Sequence, residues 1–316
     1  MSQAANSQAP KSKVIKDARP TNWVDRSAPA FARPYLKLAR ADRPIGVWLL
    51  LWPCWWSLAM ALPGYGGSVR GLLGMYALFA VGAYVMRGAG CTFNDIVDRN
   101  IDAKVDRTAL RPIPSGQVKL WQAIAFLIAQ LLIGLWILLQ FNWFTVALGA
   151  SSLILIAIYP FMKRITWWPQ AFLGLTFNWG ALMGWAAVNG SLTSAPIALY
   201  AGAIFWTLAY DTIYAHQDKE DDALIGVKSS ARKLGEKTKP FLGVTYALAI
   251  ALFATAGIFS GMDWIFYVFL VPFALHLVWQ VRRVNIDDPM LCLSVFKSNR
   301  DAGAILFLAW FLGAIP

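Results

Sequence analysis

An all-α, polytopic bundle of membrane-spanning helices is the fold class this sequence predicts. Three observations lead there. Of the 316 residues, 58% are hydrophobic and only 14% charged, whereas soluble domains carry about 25% charged residues. Mean hydropathy is +0.51. The apolar residues fall in long unbroken runs rather than the short alternating segments of a membrane barrel.

The runs follow in order along the chain. Residues 1–30 are polar, rich in Ala, Ser, Pro and Lys, and predict a disordered extension. One membrane domain, residues 31–316, follows. Its first part, Phe31 to Arg43, mixes Tyr35, Leu36 and Leu38 with Arg33, Lys37, Arg40 and Arg43. It reads either as a short amphipathic helix on an anionic membrane surface or as a basic flank of the first span. Apolar segments then cover 44–62, 71–93, 120–139, 142–161, 167–188, 196–213, 241–260, 264–281 and 301–315, each close to the ~20 residues a span requires. Nine spans packed as one bundle leave a central polar cavity.

Charge sets the expected orientation. The N-terminal segment and the gaps after spans two, four, six and eight hold every Lys and Arg except Arg70 and Arg87. The positive-inside rule puts the N-terminus and those gaps on the cytoplasmic side, with the cavity open there. The net charge of +11 is then a consequence of topology, and no nucleic-acid partner is implied. Cys54, Cys91 and Cys292 have no CxxC spacing and read as small buried hydrophobes. With His216 and His276 the only histidines, a His-rich metal site is excluded. No cleavable signal peptide is visible, and Asp17 and Asp25 count against a transit peptide. A bacterial inner membrane is the expected location, a mitochondrial inner membrane the alternative.

Nine of the seventeen acidic residues stand in two clusters: Asp95, Asp98, Asp102 and Asp106, then Asp211, Asp218, Glu220, Asp221 and Asp222. Both fall on the same predicted side. Carboxylates beside a bilayer core are costly unless a cation or substrate uses them. Asn94, Asp98 and Asp102 are spaced i, i+4, i+8, and Asp211, Asp218 and Asp222 are spaced i, i+7, i+11, so each set shares one face of a helix. Converging oxygen donors favour Mg²⁺ over zinc or copper, and Mg²⁺ commonly completes its shell with phosphate. Arg99, Lys104, Arg107, Arg111, Lys163, Arg164, Lys219 and Lys228 rim the clusters, as a diphosphate site requires. An apolar bundle with such a mouth suits a substrate with a greasy tail and a diphosphate head. The competing readings are solvated loop charges or a cation transporter, although transporters place such groups near the midplane on broken helices.

The run Gly90-Cys91-Thr92-Phe93-Asn94-Asp95-Ile96-Val97-Asp98-Arg99-Asn100-Ile101-Asp102 resembles the NDxxDxxxD signature of UbiA-type intramembrane prenyltransferases, and Arg107-Thr108-Ala109-Leu110-Arg111-Pro112-Ile113-Pro114-Ser115-Gly116 their RTxxRPxxSG extension. The run from Tyr210 to Asp222, followed by Gly226-Val227-Lys228-Ser229-Ser230, is similar to the second signature in the form used by the 4-hydroxybenzoate branch. Asp42-Arg43-Pro44-Ile45-Gly46, Leu51-Trp52-Pro53 and Tyr159-Pro160-Phe161-Met162-Lys163-Arg164 also match. The resemblance covers about residues 35–315.

It implies Mg²⁺-dependent transfer of a polyprenyl group from polyprenyl diphosphate to the ring of 4-hydroxybenzoate, ortho to the hydroxyl, in ubiquinone biosynthesis. Homogentisate, a naphthoate or haem are the other acceptors of the family. Asn94, Asp98 and Asp102, with Asp218 and Asp222, would hold metal. Arg107 and Arg111 would grip the diphosphate, with Arg43, Lys163 and Lys228 as further basic groups for substrate. Arg164 is the expected partner of the acceptor's carboxylate. Asp218 or Asp211 would activate the phenol or accept the ring proton. Arg87, inside span two, either faces the cavity and pairs with an Asp, the favoured expectation, or snorkels to the interface. His216 is expected to stand behind the ligands or in solvent. The lipid bilayer is the surroundings; protein partners are unspecified.

Overall fold

The computed structural model describes residues 22–103, 108–217, 219–224 and 226–315. Those residues are helical and contain no strand. Two short helices, α1 (Trp23–Ser27) and α2 (Arg33–Leu38), precede α3 (Ile45–Met60), α4 (Val69–Asp102), α5 (Leu120–Leu138) and α6 (Trp143–Ile165). Next come α7 (Pro169–Phe177), α8 (Gly180–Asn189), α9 (Ser194–Ala215), α10 (Lys219–Leu224) and α11 (Ser230–Leu234). The chain ends with α12 (Thr238–Ser260), α13 (Trp264–Arg283), α14 (Pro289–Lys297) and α15 (Asn299–Gly313).

Six helical stretches among these residues are long and apolar enough to cross a membrane: Val69–Asp102, Leu120–Leu138, Trp143–Ile165, Pro169–Asn189, Ser230–Ser260 and Trp264–Arg283. The expected first span is the shorter apolar helix α3. Segment 196–213 falls within α9, and α15 covers segment 301–315 as far as Gly313.

Local chemistry sets the boundaries. Ser68, Asn142, Asp263 and Asp288 each cap a free N–H in the first turn of α4, α6, α13 and α14. Asn142 also donates to Ala186 O at 2.8 Å, which ties the start of α6 to α8. The expected fifth span breaks at Asn178. Its Nδ2 donates to Gly174 O at 2.8 Å and to Thr207 Oγ1 at 2.7 Å, so a neighbouring helix holds the break. Small residues let backbones approach. A Cβ at Gly184 would lie 2.5 Å from Cys54 O, and one at Gly180 would meet Cys54 Sγ. The Ser57 hydroxyl donates to Ala181 O at 2.5 Å and accepts from Trp185 N at 2.7 Å. Together these lock α3 against α8.

Helix α9 is the axis of the bundle. Trp206, Ala209, Tyr210 and Ile213 are fully enclosed, and Trp206 packs at a tilt against Trp56 and edge-to-face against Tyr210. The outer faces of α5 and α6 instead expose Trp121, Leu132, Trp136, Trp143 and Ile154, as lipid-facing helices do.

Two expectations are corrected. Residues 22–30, within the extension expected to be disordered, form α1 and its exit. Asn22 caps the helix, and Val24 and Ala28 pack on Ala41. Residues 1–21 lie outside the described residues. The basic segment 31–43 is not one amphipathic surface helix. Helix α2 stops at Leu38, which is buried with Val118 and Ala123 against protein, and the chain then turns at Arg40 (φ 58°).

Candidate active site

A cavity of about 520 Å³ runs between α3, α4, α5, α6, α7, α8, α9 and α14. One end is polar, lined by Arg40, Arg43, Asn94, Asp95, Arg111 and Lys163. The other is apolar, lined by Leu78, Phe79, Ile137, Leu138, Phe141 and Met183. Helix α4 lines both. From Asp95 to Phe79 it spans 16 residues, about 24 Å at 1.5 Å per residue.

The polar end is built by the last turns of α4. Because α4 runs unbroken to Asp102, Asp95, Asp98 and Asp102 all turn inward and are buried. Each is met by cations. Asp95 Oδ1 accepts from Arg40 Nη2 at 2.7 Å and Arg111 Nη1 at 3.2 Å. Asp102 Oδ2 accepts from Arg111 Nη1 at 2.7 Å. Asp98 accepts from Lys163 Nζ through Oδ2 and from Arg164 Nη2, at 2.9 Å, through Oδ1. A turn folds Arg111 back onto α4, closed by Arg111 N to Thr108 O at 2.9 Å and Thr108 Oγ1 to Asp102 O at 2.8 Å. Asp95 Oδ2 is buried with no hydrogen-bond partner in the structure.

Deeper in, Asp211 lines the cavity beside Tyr159, Tyr210 and Tyr214, with Arg87 and Phe177 in the same wall. The Arg87 guanidinium lies 5.3 Å over the Phe177 ring, and its Nη1 is 2.6 Å from Cys91 Sγ. Gly46 makes room for it, since a Cβ there would sit 2.3 Å from Arg87 Nε. Arg87 faces the cavity as expected, but its contacts there, among the described residues, are Phe177 and Cys91 and not the aspartate expected to pair with it.

The second acidic run does not form one helical face. Helix α9 ends at Ala215, and His216 and Gln217 make a tight turn before α10. Asp211 and Asp222 therefore stand on different helices, and the i, i+7, i+11 spacing has no meaning across the turn. The His216 ring is 1% exposed and shares a hydrogen bond of 2.9 Å with Thr238 Oγ1. It is neither solvated nor at the cavity wall, and burial, reinforced by Lys219, pushes its pKa down to about 4. Asp218 and Arg107 lie outside the described residues, as does the side chain of Asp222.

Of the basic residues assigned to substrate, Arg43, Lys163 and Arg111 line the cavity. Arg43 pairs with buried Asp42 at 3.1 Å. Arg164 stands outside the lining, and its side chain is 42% exposed. Lys228 Nζ instead donates to Ile165 O at 3.0 Å, and its N–H to Lys163 O at 2.9 Å, so it closes the C-terminus of α6. Sequence reasoning missed Arg40, read there as a surface charge. Its signal was the need of three buried carboxylates for partners.

Among the described residues no three His, Cys, Asp or Glu side chains gather as a ready metal cluster. The donor chemistry nevertheless fits a hard divalent cation. Asn94, Asp98 and Asp102 offer only oxygen-type ligands on one inner face, and Asp95 Oδ2 is an orphaned acceptor beside them.

An amphipathic cavity inside an apolar helical bundle, with carboxylates and cations at one end, defines an intramembrane site for an anionic lipid-like substrate. Residues 50–312 match the UbiA prenyltransferase family, and the chain belongs to that family. It is 50% identical over 302 residues to the mitochondrial 4-hydroxybenzoate polyprenyltransferase of Arabidopsis thaliana, covering 95% of this chain and 72% of that protein. Identity is 51% to the Caenorhabditis elegans protein of the same name, over 89% of this chain and 78% of the other. The fold is similar to the apo structure of a UbiA homolog from Aeropyrum pernix K1, with TM-score 0.65, 24% identity, and 84% of this chain and 96% of that one covered. It is also similar to a UbiA homolog from Archaeoglobus fulgidus bound to GPP and Mg²⁺, with TM-score 0.62, 20% identity, and 89% and 99% covered.

Proposed function

We propose that this chain transfers a polyprenyl group from polyprenyl diphosphate to the ring of 4-hydroxybenzoate, ortho to the hydroxyl, in ubiquinone biosynthesis. The observation that carries the reading is the two-ended cavity. The apolar end, reached about 24 Å along α4 from Asp95, suits a prenyl tail, and the polar end gathers cations for a diphosphate. Relatives of about 50% identity that bear the 4-hydroxybenzoate polyprenyltransferase name support the acceptor.

Asn94, Asp98 and Asp102 hold Mg²⁺ from α4, with Asp218 and Asp222 completing the set. When bound, Mg²⁺ neutralises charge that develops on the departing diphosphate. Arg111 and Arg107 grip its oxygens, with Lys163 and Arg43 beside them. The allylic C1–O bond breaks and its electron pair leaves with the diphosphate. A ring π pair then forms the new C–C bond, and the ring carbon loses its proton to Asp211 or Asp218. The aromatic wall of Phe177, Tyr159, Tyr210 and Tyr214 excludes water that would quench the allylic cation. Arg164, at the end of α6, orients the acceptor's carboxylate.

The setting we infer is nine spans with the N-terminus and the polar end on the Lys/Arg-rich, cytoplasm-equivalent side. The relatives named above are mitochondrial, which favours a mitochondrial inner membrane over the bacterial one that the sequence suggests.

The test uses membranes containing the chain, radiolabelled 4-hydroxybenzoate, a polyprenyl diphosphate and Mg²⁺. Labelled lipid should form and should vanish with a chelator. A folded, inserted protein that yields no labelled lipid sinks the reading.

A further inference from the structure

The segment ahead of α3 reaches the polar end of the cavity through one residue in an uncommon conformation. This segment lies before residue 50, where the family match begins. It is folded on itself, with Trp23 Nε1 donating to Ala41 O at 2.9 Å and Lys37 pairing with Asp25 at 2.7 Å, and it is anchored on the rest of the protein through Leu38, buried with Val118 and Ala123. From that anchor the chain turns at Arg40, the only non-glycine residue with positive φ (58°) among the described residues. A left-handed backbone costs an arginine energy and tends to persist where the surroundings use it. Its guanidinium is held through both terminal nitrogens, by Nη1 to Lys37 O at 2.9 Å and by Nη2 to Asp95 Oδ1 at 2.7 Å.

Asp95 Oδ1 is contested. Arg111 Nη1 also reaches it, at 3.2 Å, while lying 2.7 Å from Asp102 Oδ2. An incoming diphosphate must draw Arg111 away from these carboxylates. With Arg40 in place, Asp95 stays paired when Arg111 leaves. Without Arg40, the same movement strands a buried carboxylate, which is strongly unfavourable.

We propose that Arg40 is a positioning residue: by holding Asp95, it frees Arg111 to bind the substrate's diphosphate. This rests on the diphosphate reading of the site. It also gives the strained turn a reason to exist, and it makes the N-terminal segment part of the binding machinery.

Three variants separate this from a purely structural role. Arg40→Gly relieves the backbone and removes the charge. Arg40→Asn is also tolerated in the left-handed region and is neutral. Arg40→Lys keeps the charge in a backbone as strained as before. Loss of one charge-assisted partner predicts a rise of about tenfold in KM for the polyprenyl diphosphate in the Gly and Asn variants. Their kcat, and their KM for the aromatic acceptor, should stay within about threefold, and the Lys variant should stay within about threefold throughout. Equilibrium binding of a radiolabelled short prenyl diphosphate to the purified chain should show the same loss, whatever the acceptor. Wild-type affinity in a folded Gly or Asn variant overturns the proposal, and if Gly does not insert, Asn carries the test. Wild-type protein that binds the diphosphate but does not prenylate 4-hydroxybenzoate overturns the acceptor reading and leaves the Arg40 comparison standing.

Discussion

Replacing Asp98 by Asn keeps the side chain's shape and removes its charge. Asp98 is 1% exposed and satisfies two cations, Lys163 and Arg164. A hydrogen bond to a buried charge contributes about 1.5–3 kcal/mol. Here, however, the partners' side chains are 29% and 42% exposed, so both can turn to water. That reduces the expected cost to about 1–2 kcal/mol for the pair. In a chain of this size the melting temperature should fall by roughly 2–8 °C, readable from the fluorescence of the sixteen tryptophans. Activity should respond on another scale. Loss of an ionised ligand from the metal set removes several kcal/mol of transition-state stabilisation, a drop in turnover of about 10³-fold. Radiolabelled product formation in membranes, at matched protein level, gives the rate. Asp301→Asn is the control, because that carboxylate is half-exposed and pairs only with adjacent Arg300. A folded Asp98→Asn enzyme with turnover within about tenfold of wild type would refute the metal assignment. A collapse in melting temperature with proportionate loss of activity would make Asp98 structural.

Two further outcomes follow from the packing and the electrostatics. Gly184→Ala places a Cβ 2.5 Å from Cys54 O and 2.9 Å from Leu58 N; backbone cannot swing aside, so about 1–3 kcal/mol should be lost. Gly243→Ala, with nothing within 4 Å, should gain about 0.5–1 kcal/mol, and equal melting temperatures for the two would contradict the α3–α8 contact. His216 has its pKa pushed down to about 4 from 6.5. The unfolded chain therefore binds a proton that the folded one refuses, and stability is lost as pH falls from 6.5 towards 4, on the order of 3 kcal/mol in total. A His216→Asn variant should lose that slope, and a wild-type slope that survives the substitution would exclude His216 as its source.

What the sequence could reveal depended on how far each feature reaches. The apolar segments and the first acidic face were legible because both are properties of single helices. Once α4 continues unbroken through Asp102, helical geometry alone turns Asp95, Asp98 and Asp102 to one side. The second acidic run was misread because the turn at His216 is held from outside, by Thr238 at the start of α12, and no local pattern announces that. The same holds for Lys228, whose spacing from the motif suggested substrate but whose ammonium closes the end of α6. Order in residues 22–30 had a local signal in Asn22, Trp23 and Asp25, a capped turn with one aromatic anchor; the polar composition outweighed it. Arg40 had none, because its role depends on an aspartate 55 positions away.

The ion pairs also say how such a site tolerates waiting for its substrate. Three buried carboxylates on adjacent turns repel one another, and at low dielectric that repulsion is severe. The fold answers with Arg40, Arg111, Lys163 and Arg164, each already placed on a carboxylate. These cations are of two kinds. Arg40 is held through both guanidinium nitrogens, to Lys37 O and Asp95, and its backbone sits in the left-handed region. Arg111 bridges Asp95 and Asp102 through one nitrogen, and Lys163 and Arg164 share Asp98. On the proposed reading, Asp98 and Asp102 would hold the Mg²⁺ that accompanies a diphosphate, and Arg111 and Lys163 would be free to turn to phosphate oxygens. Such an exchange requires one carboxylate that does not lose its partner, or a buried charge would be stranded in every turnover. Asp95, held by Arg40, is the carboxylate placed to meet that requirement.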